Sequence, residues 1–320
     1  MTSRRRVLGF IWFLFLTAAL NVKAQAPSIS PERLKARKEL GLLSVEYSKE
    51  SFVKQASEGD TIAVQLFIAA GMDPNVKGGE ALIAASGAGH IETVRALIAA
   101  GADVNADNDV TALISATRLD VVKYLLDHGA DVNAKDKSGN TALMRAAGAP
   151  DLDRMKVLID RGADVDARGY LGRTALLVVA DVASQKALAD AAIKTKQTDR
   201  SRVGLPDYLA AMKILLAAKA DVNARDDKGY TALLFAARWK ADGVAQVLLD
   251  HGANVNEKAD DGFTPLLAAV LNQSAEMVKS LLAKGADPNT TANEGSVLKF
   301  ALQSRNSAIA QLLINAGAKQ

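Results

Sequence analysis

HGADVNAKDKSGNTAL, residues 128–143, is the stretch whose pieces recur along the chain and decide its fold. Its acidic and amide residues, beginning with Asp131 and Asn133, alternate with small residues as the oxygen ligands of a calcium loop do. A twelve-residue EF-hand loop needs oxygen ligands at its fifth and twelfth positions. Counted from Asp131, those positions hold Lys135 and Ala142, so the stretch is not an EF-hand.

The pieces of this stretch return at a nearly constant interval. GADVNA stands at residues 101–106 and again at 129–134. Related versions are GMDPNV from residue 71, GADVDA from 162, KADVNA from 219, GANVNE from 252 and GADPNT from 285. Most intervals are close to 33 residues, but the one between residues 162 and 219 is 57. A second series, TAL or TPL, follows most glycine positions by about a dozen residues, so the chain is built from repeats.

Each repeat predicts two short helices. In DKGYTALLFAARWKADGVAQVLLDHGANVN, residues 227–256, Thr231 is placed to N-cap a first helix. A second helix is expected from about Asp242, and Gly252 ends it where a left-handed residue is favoured. Two such helices cannot bury their apolar sides alone, so neighbouring pairs must stack and share one core.

The glycine, threonine and leucine positions at this period resemble those of the ankyrin repeat family. The resemblance implies an all-α solenoid over residues 44–320, with about eight helix-turn-helix units joined by β-hairpin fingers. The family's TPLH histidine is replaced in the units compared, and its proline survives only as Pro265. Lys219 stands where other units have a terminal glycine, which should cost about 1 kcal/mol if the residue is left-handed.

Two units depart from the common length. The second inner unit, beginning at Thr111, lacks three residues between its helices. The 57-residue interval places a helical insert at residues 181–207 in the fourth inner unit. We expect a first helix lengthened to about Lys196, then a polar turn, and a second helix that opens at Pro206. The excess of basic residues in the insert makes it either a contact for an acidic partner or a solvated loop; these residues are Lys194, Lys196, Arg200 and Arg202.

The N-terminus has the layout of a secretory signal peptide over residues 1–24. A basic start precedes an apolar run, Val7–Leu20, that is short for a membrane span of about 20 residues. Cleavage is predicted after Ala24 rather than Ala26, because Pro27 follows the latter. The sequence therefore predicts a periplasmic or secreted protein, with the secretory and twin-arginine routes both open and an uncleaved anchor as the alternative.

Residues 25–43 are predicted to form a linker with a short basic helix that Ser30 caps. The formal charge of the whole chain is +3, and removal of the four basic residues of 1–24 leaves −1. This balance gives no electrostatic reason to expect nucleic acid, or a membrane after cleavage, as partner. The absence of cysteine excludes disulfides and thiolate sites.

The sequence offers no arrangement that indicates catalysis. The three histidines, His90, His128 and His251, stand at repeat positions where structural roles are expected. There is no nucleophile elbow and no phosphate-binding glycine loop. We therefore expect a protein that is not an enzyme and uses no cofactor, metal or small-molecule substrate.

Partners of ankyrin repeat proteins usually dock on the concave face, formed by finger tips and first-helix ends. The matching positions favoured for binding are Tyr170, Leu171, Arg173, Tyr230, Arg238, Trp239 and Phe263. Other positions on that face are Lys137, Ser138, Asn140, Asp227, Lys228, Asp260, Asp261, Leu271 and Asn272. Aromatic residues and arginine often dominate interface energies. The alternative is that each ring packs against the adjoining finger instead.

The sequence therefore predicts a monomeric, exported scaffold that binds an unidentified partner protein. One alternative is an inhibitor or protective partner of a single exported enzyme. Another is an enzyme with its site in the 181–207 insert, which would need a pocket with a titratable cluster. A third is a form tethered to the membrane by the uncleaved N-terminal run.

Overall fold

A computed structural model describes the chain at residues 29–192, 204–292, 295–304 and 306–319. The predicted signal peptide, residues 1–24, and the middle of the predicted insert, residues 193–203, lie outside this part. The predicted cleavage site after Ala24 and the basic residues of the insert are therefore outside it as well. In the part described, none of the helices combines the length and apolar character that crossing a membrane requires.

The described residues form one N-terminal helix followed by eight helix pairs, which we number as units 1 to 8. The first helix is α1 (Pro31–Leu42), and units 1 to 4 are α2 (Lys49–Glu58) with α3 (Thr61–Ala69), α4 (Val76–Ala88) with α5 (Ile91–Ala99), α6 (Ala112–Ser115) with α7 (Leu119–Asp127), and α8 (Ala142–Gly148) with α9 (Leu152–Asp160). Units 5 to 8 are α10 (Ala175–Ala192) with α11 (Leu205–Ala217), α12 (Ala232–Arg238) with α13 (Asp242–Asp250), α14 (Pro265–Leu271) with α15 (Ala275–Ala283), and α16 (Val297–Gln303) with α17 (Ser307–Asn315).

Local capping explains where these short helices begin and end. The Thr231 hydroxyl accepts a hydrogen bond from the Leu234 amide at 3.3 Å, as predicted for an N-cap. The threonines that begin units 3, 4, 5 and 7 make the same bond. After α13, Gly252 has a φ of 84°, the left-handed conformation predicted for the helix end.

The units stack side by side and share one core. First helices pack on first helices, as α8, α10, α12 and α14 do in turn, and second helices form a parallel layer. The buried apolar side chains make one continuous cluster from Ala36 to Leu313. This arrangement confirms the predicted all-α solenoid.

The predicted β-hairpin fingers are not confirmed. In the residues described, strands occur at one finger, where β1 (Thr291–Ala292) pairs with β2 (Gly295–Ser296). In the finger of unit 4, one backbone bond of 2.9 Å, from the Asp136 amide to the Asn140 carbonyl, closes a tight turn. The next residue, Thr141, already caps α8, so the chain has no length left for a ladder of strand bonds.

The GADVNA motif forms a ladder of hydrogen bonds between units. The Asn133 side-chain Nδ2 donates to the Gly162 carbonyl at 3.2 Å, and its Oδ1 accepts from the Asp164 backbone amide at 2.8 Å. Asn75, Asn105, Asn256 and Asn289 make the same two bonds to the following unit. At the equivalent position Asp166 accepts from the Asp221 amide but has no N–H to donate.

The short second inner unit, unit 3, has a first helix of a single turn, α6. Arg154 of the following unit replaces part of the missing turn. Its Nη1 donates to the Ala116 carbonyl at 2.6 Å, and its Nε lies 3.2 Å from Asp151 Oδ2. A largely buried guanidinium therefore satisfies a carbonyl that a longer helix would have bonded internally.

In the described residues α10 is 18 residues long, and Pro206 lies in the first turn of α11. The end predicted near Lys196 lies outside the described residues. Ser184 and Tyr208 are buried, so the described base of the insert belongs to the core.

The helix predicted within residues 25–43 is α1, and Ser30 Oγ accepts from the Arg33 amide at 3.3 Å. Ala36 and Leu40 of α1 are buried in the shared core, and α1 packs against α3. This helix covers the first end of the array.

Candidate functional site

The candidate surface is the side of units 4 to 7 formed by the fingers and first helices, which we call the finger face. It comprises the exposed parts of α8, α10, α12 and α14 together with the fingers at residues 167–173, 226–230 and 259–263. The first helices are held side by side by the shared core, so their outward residues form one continuous row.

Four of the seven predicted binding residues reach this surface. Tyr170 is 61% exposed and Leu171 is 43% exposed. Arg238 is exposed and Trp239 is half-buried at the end of α12. Leu271 of unit 7 is exposed as well. The adjacent units 5, 6 and 7 therefore all contribute side chains to the finger face.

Tyr230 is packed inside the array, as the alternative interpretation expects. Its ring is 7% exposed and stacks on Phe235, with 5.6 Å between centroids. Its hydroxyl donates to Asp261 Oδ2 at 2.5 Å, linking two fingers. Burial, reinforced by the Asp261 carboxylate, raises the pKa of Tyr230 to about 12. Phe263 is also half-buried against the core, so these two rings hold fingers in place.

Arg173 is engaged within the chain. Its Nη1 lies 2.9 Å from Asp181 Oδ2, and its Nε lies 3.8 Å from Asp226 Oδ2. The guanidinium also sits over the Phe235 ring, 4.9 Å from the centroid. Sequence reasoning missed this cluster, although Asp181, an acidic residue within the apolar stretch of α10, could have indicated a partner.

The finger of unit 5 has a different turn from its neighbours. Leu171 has a φ of 56° and Gly172 a φ of 68°, whereas the residues equivalent to Leu171 in units 4, 6 and 7 do not have positive φ. In units 4 and 6 an aspartate carboxylate accepts two amide bonds inside the turn, and Gly169 replaces it here. The Arg173 amide instead donates to the Tyr170 carbonyl at 3.2 Å.

This turn holds Leu171 in a conformation that costs a residue with a side chain roughly 1–2 kcal/mol. The Leu171 carbonyl accepts from the Asp227 amide at 3.0 Å, which fixes the turn against the next finger. The sequence GYLG at residues 169–172 was the available indication, because Gly169 stands where units 4 and 6 have an aspartate. A strained, exposed apolar residue is a feature that often accompanies binding sites.

Each of the three histidines contacts a backbone carbonyl. His90 Nε2 lies 3.1 Å from the Ser57 carbonyl of the previous unit. His128 and His251 each place Nδ1 2.8 Å from the carbonyl four residues earlier. Among the described residues, no group of three or more histidine, cysteine, aspartate or glutamate side chains could hold a metal ion.

Neighbouring finger tips are joined by ion pairs. Lys137 Nζ lies 3.3 Å from Asp109 Oδ2, and Arg168 Nη2 lies 3.1 Å from Asp227 Oδ1. Exposed pairs of this kind contribute about 0–1 kcal/mol each. Their effect on the surface is to neutralise the charges at the finger tips.

The repeat pattern is matched by known family models. A model described as ankyrin repeats (3 copies) matches residues 53–136, 206–292 and 257–320. A second, described as ankyrin repeats (many copies), matches residues 125–176. The chain belongs to the ankyrin repeat family. A search among curated proteins found no match.

The matched segments and the fold agree on the extent of the ankyrin repeat array. Between residues 53 and 320, the interval without a match is 177–205, which holds most of α10 and the insert. Ankyrin repeats are generally protein–protein interaction modules and typically non-catalytic scaffolds. Membership of this family therefore indicates a protein-binding module.

Proposed function

We propose that this protein is an exported, non-catalytic scaffold that holds a partner protein against the finger face. The observation that carries the proposal is Leu171, an apolar side chain kept exposed by a left-handed backbone beside the exposed Tyr170. A residue with these properties lowers stability without contributing to the core. A partner that buries both side chains would gain binding energy from them, which explains why the strained turn is kept.

Export is supported by the sequence of residues 1–24. The intact mass of the protein, purified from the extracytoplasmic fraction of the producing cell, tests it. We expect the mass of the chain beginning at Gln25. An intact N-terminal run in the membrane fraction would instead establish the tethered form.

The binding face is tested by photo-crosslinking. A photoreactive amino acid placed at Leu171 should give a cross-linked partner in the exporting cell, identified by mass spectrometry. The matched control is Lys279, an exposed residue on the second-helix layer in α15. Equal cross-linking from both positions, or cross-linking from Lys279 alone, would show that the finger face is not the binding surface.

Leu171→Gly separates binding from stability. Glycine adopts the left-handed turn without strain, so the melting temperature should stay the same or rise. Affinity for the cross-linked partner should fall at least tenfold, because the apolar contact is lost. Lys219→Gly, which relieves a left-handed residue outside the finger face, is the control and should leave affinity unchanged. Unchanged affinity in Leu171→Gly would remove Leu171 from the proposed site.

A further inference from the structure

Two arginines on the finger face lack the ion pairs that the other arginines of this region make. Between residues 118 and 304, the described arginines that pair with a carboxylate are Arg118, Arg154, Arg161, Arg168, Arg173 and Arg225. In the same described residues, Arg145 and Arg238 form no ion pair. The side-chain bond of Arg238 is to the Tyr230 hydroxyl, at 3.3 Å.

Both arginines are exposed in the last turn of a first helix, Arg145 in α8 and Arg238 in α12. A cation at a helix C-terminus is favourable by about 0.3–1 kcal/mol. That effect does not explain the arginines fully, because the first helices α10, α14 and α16 have no basic residue in their last turn.

The carboxylates nearby are already occupied. Asp181 binds Arg173 and also accepts from Gln185 Nε2 at 2.9 Å. Asp227 is paired with Arg168. Arg238 reaches the Asp261 carboxylate only through the Tyr230 hydroxyl. The finger face therefore presents two positive charges that form no direct ion pair, and their complement is an acidic group on the partner.

The helix packing sets the separation of the two charges. α8 packs on α10 and α10 packs on α12, so Arg145 and Arg238 are two helix spacings apart. Packed helices lie about 8–10 Å apart, which gives about 16–20 Å between the two helix axes. An extended chain advances about 3.3 Å per residue, so this distance corresponds to about five or six residues.

The surface between the two arginines presents aliphatic side chains beside the Asp181–Arg173 ion pair. Val178 and Val182 of α10 are half-buried there. A side chain at Gly148 would begin 3.4 Å from Val178 Cγ1, so the glycine in α8 leaves that methyl group uncovered. Trp239 continues the apolar surface beyond Arg238. The row therefore alternates charge, aliphatic surface and charge.

We propose that the finger face binds an extended acidic segment of its partner, with two carboxylates about five or six residues apart and aliphatic side chains between them. One carboxylate pairs with Arg145 and the other with Arg238. The aliphatic side chains contact Val178 and Val182. This inference rests on the proposed function and names the partner's chemistry at the same surface.

Fluorescent peptides test this chemistry directly. Each peptide carries two glutamates separated by two, five, six or nine positions, with valine and serine elsewhere, and binding to the full exported chain is measured by fluorescence anisotropy. The peptides with separations of five and six should bind at least tenfold more tightly than the others. Affinities that do not depend on the separation, or no binding by any peptide of the panel, would overturn the proposal.

Single substitutions test whether Arg145 and Arg238 bind the two carboxylates of the peptide. Arg145→Gln and Arg238→Gln should each weaken binding of the best peptide about tenfold, whereas Arg145→Lys and Arg238→Lys should retain part of it. Arg161→Gln, which removes an ion pair with Asp127 outside the finger face, is the matched control and should have no effect. Glutamine variants that bind as tightly as the unaltered chain would also overturn the proposal.

The two proposals fail separately. If Leu171 cross-links a partner protein whose affinity is unchanged in the Arg145→Gln and Arg238→Gln variants, the finger face binds a partner but the acidic segment is wrong. If the peptides bind as described and Leu171 gives no cross-linked protein, the recognition chemistry stands and the proposed cellular function fails.

Discussion

At the scale of single residues, positive φ angles at residues with side chains mark where the chain departs from its own repeat. Lys219 has a φ of 66° at a position where seven other loops of the array have glycine at 84–94°. The repeat alignment placed Lys219 at a terminal glycine position and left its conformation open. The left-handed region costs a residue with a Cβ more than glycine, so Lys219 weakens the junction between units 5 and 6.

Lys219→Gly should therefore stabilise the protein by about 0.5–1 kcal/mol and raise its melting temperature by roughly 2 °C. Gly252→Lys makes the reciprocal change at the next junction, where φ is 84°, and should lower the melting temperature by a similar amount or more. Thermal melts followed by circular dichroism measure both. A lower midpoint for Lys219→Gly would mean that the lysine side chain makes a compensating contact.

Tyr230 predicts a specific dependence of stability on alkaline pH. Its pKa is raised from 10.0 to about 12 on folding, so the folded protein holds the phenol proton more tightly than the unfolded chain. This contribution to stability is complete below pH 10 and is lost as the pH rises through 12. The loss approaches about 1.4 kcal/mol per pH unit within that window.

Tyr230→Phe removes the titrating group and the bond to Asp261. At pH 8 the variant should be less stable by about 1–2 kcal/mol. Between pH 10 and 12 the free energy of unfolding of the unaltered protein should fall towards that of the variant, as urea unfolding at each pH would show. The other titrating groups are common to both proteins and cancel in the difference. A constant difference across this window would contradict the raised pKa.

At the scale of elements, the one-turn helix α6 depends on a side chain from the next unit. Arg154 donates to the Ala116 carbonyl at 2.6 Å and is held by Asp151, and its side chain is only 15% exposed. The sequence revealed the deletion in unit 3 but could not reveal this replacement, because Arg154 lies 38 positions away and looks like an ordinary surface residue of α9.

Arg154→Ala should destabilise the protein by about 2–3 kcal/mol, because it leaves a buried carbonyl and the Asp151 carboxylate without their partner. Amide hydrogen exchange should accelerate most in residues 112–127 of unit 3. Arg161→Ala, which removes an exposed pair with Asp127, should cost under 1 kcal/mol. Equal losses in the two variants would show that Arg154 does not replace the missing turn.

The elements themselves were largely predictable, and the side-chain arrangement of the finger face was not. Helix starts followed from threonine N-caps and helix ends from glycine, because these are local backbone effects that a sequence displays. The packing of Tyr230 and the pairing of Arg173 depend on residues of other units. They are decided by how the units stack, which short-range patterns do not specify.

At the scale of the whole molecule, each unit contacts its immediate neighbours. A destabilising substitution should therefore affect mainly its own unit and the adjacent ones. Leu40 of α1 and Leu313 of α17 are both fully buried, at opposite ends of the array. Leu40→Ala and Leu313→Ala should each cost about 2–3 kcal/mol locally.

Hydrogen exchange followed by mass spectrometry distinguishes local from global effects. Leu40→Ala should accelerate exchange in units 1 and 2 and leave units 7 and 8 unchanged, and Leu313→Ala should do the reverse. Uniform acceleration along the chain in either variant would mean that the array unfolds as one cooperative body.

The asparagine ladder has a consequence for how such a chain can change its length. Each complete rung joins one side-chain amide to two backbone groups of the following unit, so it requires no particular side chain from that unit. Gene duplication or recombination could therefore add or delete a copy and leave working bonds at both new boundaries. Asp166 and Asn223 each make only one of the two bonds, so the boundaries on either side of unit 6 are less interchangeable than the others.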